Sequence, residues 1–208
     1  MNRNDQEREK QKESRIYKIL FTIISLLLGT FYRVRARGKE NLPEGACILC
    51  ADHSHWSDPF LIAFALGINK RFHMMAKKEL FEKPVVRWIV KSLGAFPVNR
   101  DASDVHAIRT ALGYLRNGER IGIFPEGTRV SEDDAVAAKT GAVRLASHEQ
   151  VPIVPIYIPR KKSFWHCVRI VIGEPYFLDR RIPRGDYDRL SAELMHRISA
   201  LAPQENTK

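Results

Sequence analysis

His53 and Asp58 stand five positions apart, directly after Ala46-Cys-Ile-Leu-Cys-Ala51, an apolar segment that reads as a buried strand. A carboxylate beside an imidazole fixes its tautomer and stabilises the imidazolium formed when the ring accepts a proton. The pair therefore suits general-base chemistry. On a continuous helix two such positions lie about 140° apart, so the chain between them must turn. Asp58-Pro59 allows this, because Pro favours the first helical position and Asp the cap. A capping aspartate beside a structural histidine is the alternative reading of the same residues. His53-Ser-His55 with Asp58 also has the makings of a zinc set. His73, His106, His148, His166 and His196 stand at no ligand spacing from an acid, however, and no metal is expected.

A second constellation, Phe124-Pro-Glu-Gly-Thr-Arg129, follows the short apolar strand Ile121-Gly-Ile-Phe124. Gly127 lets backbone approach an anion, Thr128 adds a hydroxyl, and the Arg129 guanidinium matches two oxygens of a phosphate. Glu126 is suited to meet a substrate hydroxyl or to hold the arginine. A third strand candidate, Gly94 to Val98, leads to Arg100, a further anion contact.

These residues need strand ends to hold them. Further strands are expected at Arg33 to Arg37, Arg71 to Met75, Ile153 to Ile158 and Val168 to Ile172. Helices are expected at Phe60 to Leu66, at Lys78 to Leu93 in two pieces opened by Pro84, and at Ser103 to Arg116 with Ser103 as its cap. Two more are expected at Val136 to Ser147 and Tyr187 to Leu201. Their alternation predicts an α/β fold with helices on the faces of a sheet. The ends, roughly 1–14 and 203–208, read as frayed.

The chain has 208 residues and a formal charge of +10, which fits one folded domain and asks for an anionic partner. Half of the excess lies in residues 1–40, on either side of the apolar run Ile19 to Tyr32. Fourteen residues are short for a span, which takes about 20. Drawn as a helix, the run carries one polar or small stripe, Lys18, Thr22, Ser25 and Gly29. Basic residues on both sides suit a helix lying in one leaflet. Acidic residues before the run and Arg33, Arg35 and Arg37 after it argue against a signal peptide. A buried core helix is the other reading of the run. No zinc-finger spacing, aromatic-basic strand or recognition helix is present, so nucleic acid is not expected as a partner. Three cysteines without framework spacing fit a reducing compartment, with Cys47 and Cys50 pointing to opposite faces of their strand.

Taken together, His53-Ser-His-Trp-Ser-Asp58, Ala76-Lys-Lys-Glu-Leu80, Gly94-x5-Arg100 and Phe124-Pro-Glu-Gly-Thr-Arg129 are in the order and spacing of one known family. Lys139-Thr-Gly-Ala142 and Val151-Pro-Ile-Val-Pro155 complete the match. The chain resembles the lysophosphatidate acyltransferases, glycerolipid acyltransferases with a His-x4-Asp motif, over about residues 35–175. Asp52 stands where that family usually has Asn, and His55 where it has Ser. His55 is thus a second candidate base, and the Asp52 charge is expected to raise the pKa of either imidazole.

The resemblance implies a mixed, mostly parallel sheet flanked by helices, with a membrane-associated helix within residues 1–33, an acyltransferase domain over 34–202 and a tail at 203–208. It implies transfer of a fatty acyl group from acyl-CoA or acyl-ACP, as co-substrate and with no cofactor, to lysophosphatidic acid, giving phosphatidic acid. His53 would be the base and Asp58 its partner. Glu126, Gly127, Thr128, Arg129, Arg100 and Lys77 would bind substrate. Membrane lipid is the implied partner and the cytoplasmic face of a membrane the implied location. Another lysophospholipid or glycerol 3-phosphate as acceptor, or a silent lipid-binding relative, are the alternatives.

Overall fold

The computed structural model describes residues 3–99, 104–129, 137–163 and 165–203. Among the described residues seven strands are formed: β1 Arg33–Arg37, β2 Ile48–Ala51, β3 His73–Lys77, β4 Phe96–Val98, β5 Ile121–Ile123, β6 Ile153–Tyr157 and β7 Cys167–Ile172. They make one sheet in the order β1-β7-β6-β2-β5-β3-β4. All neighbours run parallel except β6 and β7. The sheet is mixed and mostly parallel, as the resemblance implied. Its central strands β2, β5 and β6 read as unbroken apolar runs because both of their faces are covered.

Six α-helices among the described residues accompany the sheet: α1 Arg3–Phe31, α2 Asp58–Leu66, α3 Pro84–Ser92, α4 Val105–Arg116, α5 Gly141–Glu149 and α6 Tyr187–Ala200. One core, with Leu28 of α1 and Leu61, Ile62 and Ala65 of α2, lies on one side. The other, with Ala111 of α4, Val143 of α5 and Leu194 of α6, lies opposite. Cys47 faces the first core and Cys50 the second, as the strand period requires.

Three local expectations are corrected. Asp104, not Ser103, caps α4, its carboxylate accepting the Ala107 N–H at 3.0 Å. Helix α5 begins at Gly141 rather than Val136, because the Lys139 N–H goes to the Pro125 carbonyl at 2.7 Å and not into a helical turn. The helix at the N-terminus starts at Arg3, so most of the segment read as frayed is helical. Neither Gly nor Pro occurs between Arg3 and Leu28, and Glu, Gln, Lys and Arg are good helix formers. Lys78 to Leu93 divides as expected into a single 3-10 turn, Lys78–Phe81, and α3 opening at Pro84.

The added turns also change the length argument. Gln11–Phe31, 21 residues, is long and apolar enough to cross a membrane, whereas Ile19 to Tyr32 is not. One side of α1 nevertheless rests on the domain through Tyr17 and Leu28, while Ile19, Ile23, Leu26 and Leu27 are exposed. A helix sunk in a soluble core would not leave four such side chains in water. After α1 the chain turns into β1, whose Arg33, Arg35 and Arg37 point outward along the sheet edge. Gly38 closes that strand with φ 75°, and a Cβ there would lie 2.0 Å from the Ile172 carbonyl oxygen, so only glycine fits.

Candidate active site

Four successive parallel strands, β6, β2, β5 and β3, end along one side of the sheet. The connection leaving β2 passes over one face through α2 to β3, and the connection leaving β5 passes over the other through α5 to β6. Adjacent strands whose connections diverge open a crevice at their C-terminal ends, where ligands of α/β folds gather. His53 follows β2, Glu126 and Arg129 follow β5, Lys77 ends β3, and Arg160 and Lys162 follow β6. The strand order thus draws together residues far apart in sequence.

His53 and Asp58 form the centre. The turn between them brings His53 Nδ1 to 3.1 Å from Asp58 Oδ2. The same oxygen accepts the backbone N–H groups of Ser54 and His55, each at 2.8 Å. Asp58 is fully buried at the first turn of α2, yet its bonds run backward into the loop and not forward to helix donors. It is therefore not merely a cap. Burial opposes its ionisation, but the His53 hydrogen bond and the Lys162 charge outweigh that and hold its pKa below the ordinary carboxylate value. An ionised Asp58 fixes the proton on Nδ1 and leaves Nε2 as the basic nitrogen. The His53 ring stacks on Phe124, centroids 4.0 Å apart and planes 11° from parallel, which fixes the plane of the base.

His55 is turned to other partners. Its Nδ1 lies 2.7 Å from Ser57 Oγ, and only its backbone N–H reaches Asp58. Its pKa is lowered, first by burial, with Asp58 working the other way. The expected upward push from Asp52 on this ring is thereby corrected. Asp52 is buried, its own pKa is raised by that burial, and its charge is met by Arg160 at 3.5 Å.

The block after β5 divides. Glu126 is 2% exposed and accepts the His53 backbone N–H through Oε1 at 3.1 Å, tying the two loops together behind the imidazole. Burial, with the Asp52 charge adding, pushes its carboxyl up to about 7. Gly127 has φ 68°, its N–H goes to the Phe124 carbonyl, and it packs on the Lys139 side chain. Its amide is thus spent within the turn and not held out to an anion. Thr128 and Arg129 are exposed. Arg100 lies outside the described residues.

A pocket of about 410 Å³ opens in front of His53. Arg129 and Lys77 line it together with His53, and the rest of its wall is mostly apolar, from Phe21 and Ile24 of α1, Phe60 of α2, Met74 of β3 and Ile89 of α3, with Ser25 of α1 among them. Lys77 is half exposed and 3.6 Å from Glu79. The site thus brings His53, Lys77 and Arg129 to one cavity, with Asp58 fully buried behind the imidazole and Glu126 buried behind its loop. Sequence reasoning did not single out Arg160, Lys162 or the part of α1 and α3 in the pocket wall. Arg160-Lys161-Lys162 looks like a solvated basic run, and only the pairing of β6 with β2 brings its ends inward. Among the described residues no group of three or more His, Cys, Asp and Glu is arranged to hold a metal ion.

Comparison with known proteins gives a consistent set of likenesses. A family model described as Acyltransferase matches residues 33–159. A protein named 1-acyl-sn-glycerol-3-phosphate acyltransferase from Bacillus subtilis is 35% identical over 77% of this chain and 82% of its own length. One of the same name from Streptococcus pneumoniae is 31% identical over 74% of this chain, which spans only 58% of that relative. The crystal structure of the 1-acyl-sn-glycerophosphate acyltransferase of Thermotoga maritima matches 97% of this chain and 82% of its own, with a TM-score of 0.65 and 25% identity.

Proposed function

The chain belongs to the acyltransferase family, and we propose that it moves a fatty acyl group from a thioester to the free hydroxyl of 1-acylglycerol 3-phosphate, giving phosphatidic acid. One observation carries the reading: His53, backed by the buried Asp58, stands at the wall of a mostly apolar pocket that also holds two cations, Arg129 and Lys77. Nε2 of His53 takes the proton as the acceptor oxygen forms its bond to the thioester carbonyl carbon. The tetrahedral intermediate then expels the thiolate, and the proton returns from the imidazolium to sulfur, leaving ester and free thiol. Asp58 holds the imidazolium through that cycle. Arg129 and Lys77 meet the acceptor phosphate, and the apolar wall takes an acyl chain. Glu126 acts through the His53 backbone, as a strut. The intact His53–Asp58 pair favours catalysis over a silent lipid-binding role.

Purified protein with labelled acyl-CoA or acyl-ACP and a panel of acceptors, lysophosphatidate, glycerol 3-phosphate and other lysophospholipids, tests this reading. Transfer to lysophosphatidate is expected to exceed transfer to the others. No transfer to any acceptor from either donor would defeat it.

Both substrates live at a bilayer, and the site has a surface to match. Ile23 and Leu26 on the side of α1 away from the pocket, Val85 and Trp88 on α3, and Trp56, which lines the pocket, are exposed, with exposed Lys12, Arg15 and Lys18 along α1. We propose that these apolar side chains sit in the cytoplasmic leaflet and hold the site against the bilayer. Each basic residue near an anionic surface contributes about 1 kcal/mol, screened by salt, while apolar burial is not. Co-sedimentation with anionic vesicles is therefore expected to weaken as salt rises and to persist at high salt. Full release at moderate salt would leave no inserted helix.

A further inference from the structure

The structure assigns Lys162 as a positioning residue of the His53–Asp58 pair, its ammonium occupying Asp58 Oδ1 so that Oδ2 alone is presented to the imidazole. Lys162 is at the end of the short segment after β6, and its side chain is 2% exposed although the neighbouring Lys161 is in solvent. Nζ lies 2.8 Å from Asp58 Oδ1, an oxygen that otherwise has no partner. The ammonium also donates to Ser54 Oγ at 2.8 Å and to the Arg160 carbonyl at 3.3 Å. Ser54 Oγ in turn donates to the same carbonyl at 3.0 Å. Three directions around one nitrogen are thus taken by three groups of the loop that carries the base and of its own segment.

Burying an ammonium is costly unless it is paired and its hydrogens placed, so this arrangement persists only because all three contacts are made together. A carboxylate with one oxygen unoccupied can rotate about its Cβ–Cγ bond and offer either oxygen to the ring. With Oδ1 opposite an ammonium and Oδ2 receiving two amides and the ring, the carboxylate plane is set from both sides. Arg160, two residues earlier, does the equivalent for Asp52, so one short segment supplies a cation to each carboxylate of the His53 loop. Lys162 lies beyond residue 159, where the family match ends.

The charged and titratable groups around the imidazole come from four directions: Asp52 and His55 on its own loop, Asp58 on α2, Glu126 and Arg129 after β5, and Arg160 and Lys162 after β6. Removing the Lys162 charge changes the balance that the ring sees without removing any atom that faces substrate.

The proposal rests on His53 being the base, and the test separates the two ideas by running wild type, His53→Ala, Lys162→Met and Lys162→Arg in one assay. Lys162→Met is expected to lower kcat roughly ten- to a hundredfold, the scale of a misplaced catalytic group, with acceptor KM nearly unchanged. The acid limb of its kcat/KM profile is expected to move to higher pH, since Asp58 then faces the ring without a second cation. Lys162→Arg, which keeps the charge, is expected to recover much of kcat. Should Lys162→Met not fold by thermal melt, Lys162→Gln makes the same comparison. With wild type active, a kcat within twofold of wild type, a loss confined to acceptor KM, or a lower kcat with an unmoved acid limb would each overturn the positioning role while leaving His53 as base. An inactive wild type, or a His53→Ala protein as fast as wild type, would remove both.

Discussion

Replacing His53 by alanine is expected to lower acyl transfer roughly a hundred- to ten-thousandfold, the range for loss of a general base, while His55→Ala keeps most of the rate. The two histidines are two residues apart and are equal candidates by type, but they differ in what they touch. His53 Nδ1 faces Asp58, and its ring is clamped on Phe124. His55 spends its Nδ1 on Ser57 and lies against Trp56. Steady-state kinetics at saturating donor, with melting curves to show that both variants fold, decides between them. The loss in His53→Ala should appear in kcat. A His55→Ala protein that is inactive and folded, beside an active His53→Ala, would exchange the roles.

Arg129→Ala is expected to lower kcat/KM for lysophosphatidate by about 1.5–3 kcal/mol, roughly ten- to 150-fold, the worth of a charge-assisted contact to an ionised group. Arg129 is exposed at the wall of the pocket and faces it together with Lys77 and His53. An anion gripped there is positioned by the same cavity that holds the base. The informative comparison is between lysophosphatidate and a monoacylglycerol, which has the hydroxyl and the chain but no phosphate. Wild type should prefer the first strongly, and Arg129→Ala should lose most of that preference while its donor KM stays the same. Arg129→Lys should fall between, because an ammonium keeps the charge and loses the fork. Undiminished selectivity in Arg129→Ala would move the phosphate site elsewhere.

The sheet was legible because its strands are short apolar runs between turn residues, and β1, β2, β5, β6 and β7 form within a residue or two of where the pattern puts them. Helix starts were less so. The α5 boundary depends on a backbone bond from Lys139 to Pro125, two segments joined only by the fold, and the pattern of apolar residues continues through it. The N-terminal turns read as frayed, yet an unbroken run of helix formers extends an apolar helix at little cost. For the site, His53 and Asp58 carried their own signal in spacing. Glu126 did not, since its type suits a substrate contact and only its burial makes it a strut. Lys162 had no signal at all. A lysine in Arg160-Lys-Lys162 is ordinarily solvated, and its inward path is set by β6 lying next to β2.

The pairing of β1 with β7 also sets an order of events during synthesis. β1 follows directly on the apolar helix at the start of the chain, yet its partner in the sheet is the last strand, with Arg33 opposite Cys167 and Arg37 opposite Val171. At ribosomal rates of 5–20 residues per second, on the order of ten seconds pass between the emergence of the two. The edge beside α1 therefore closes only after β2 and β5, whose ends carry the His53 and Arg129 loops, have already been made.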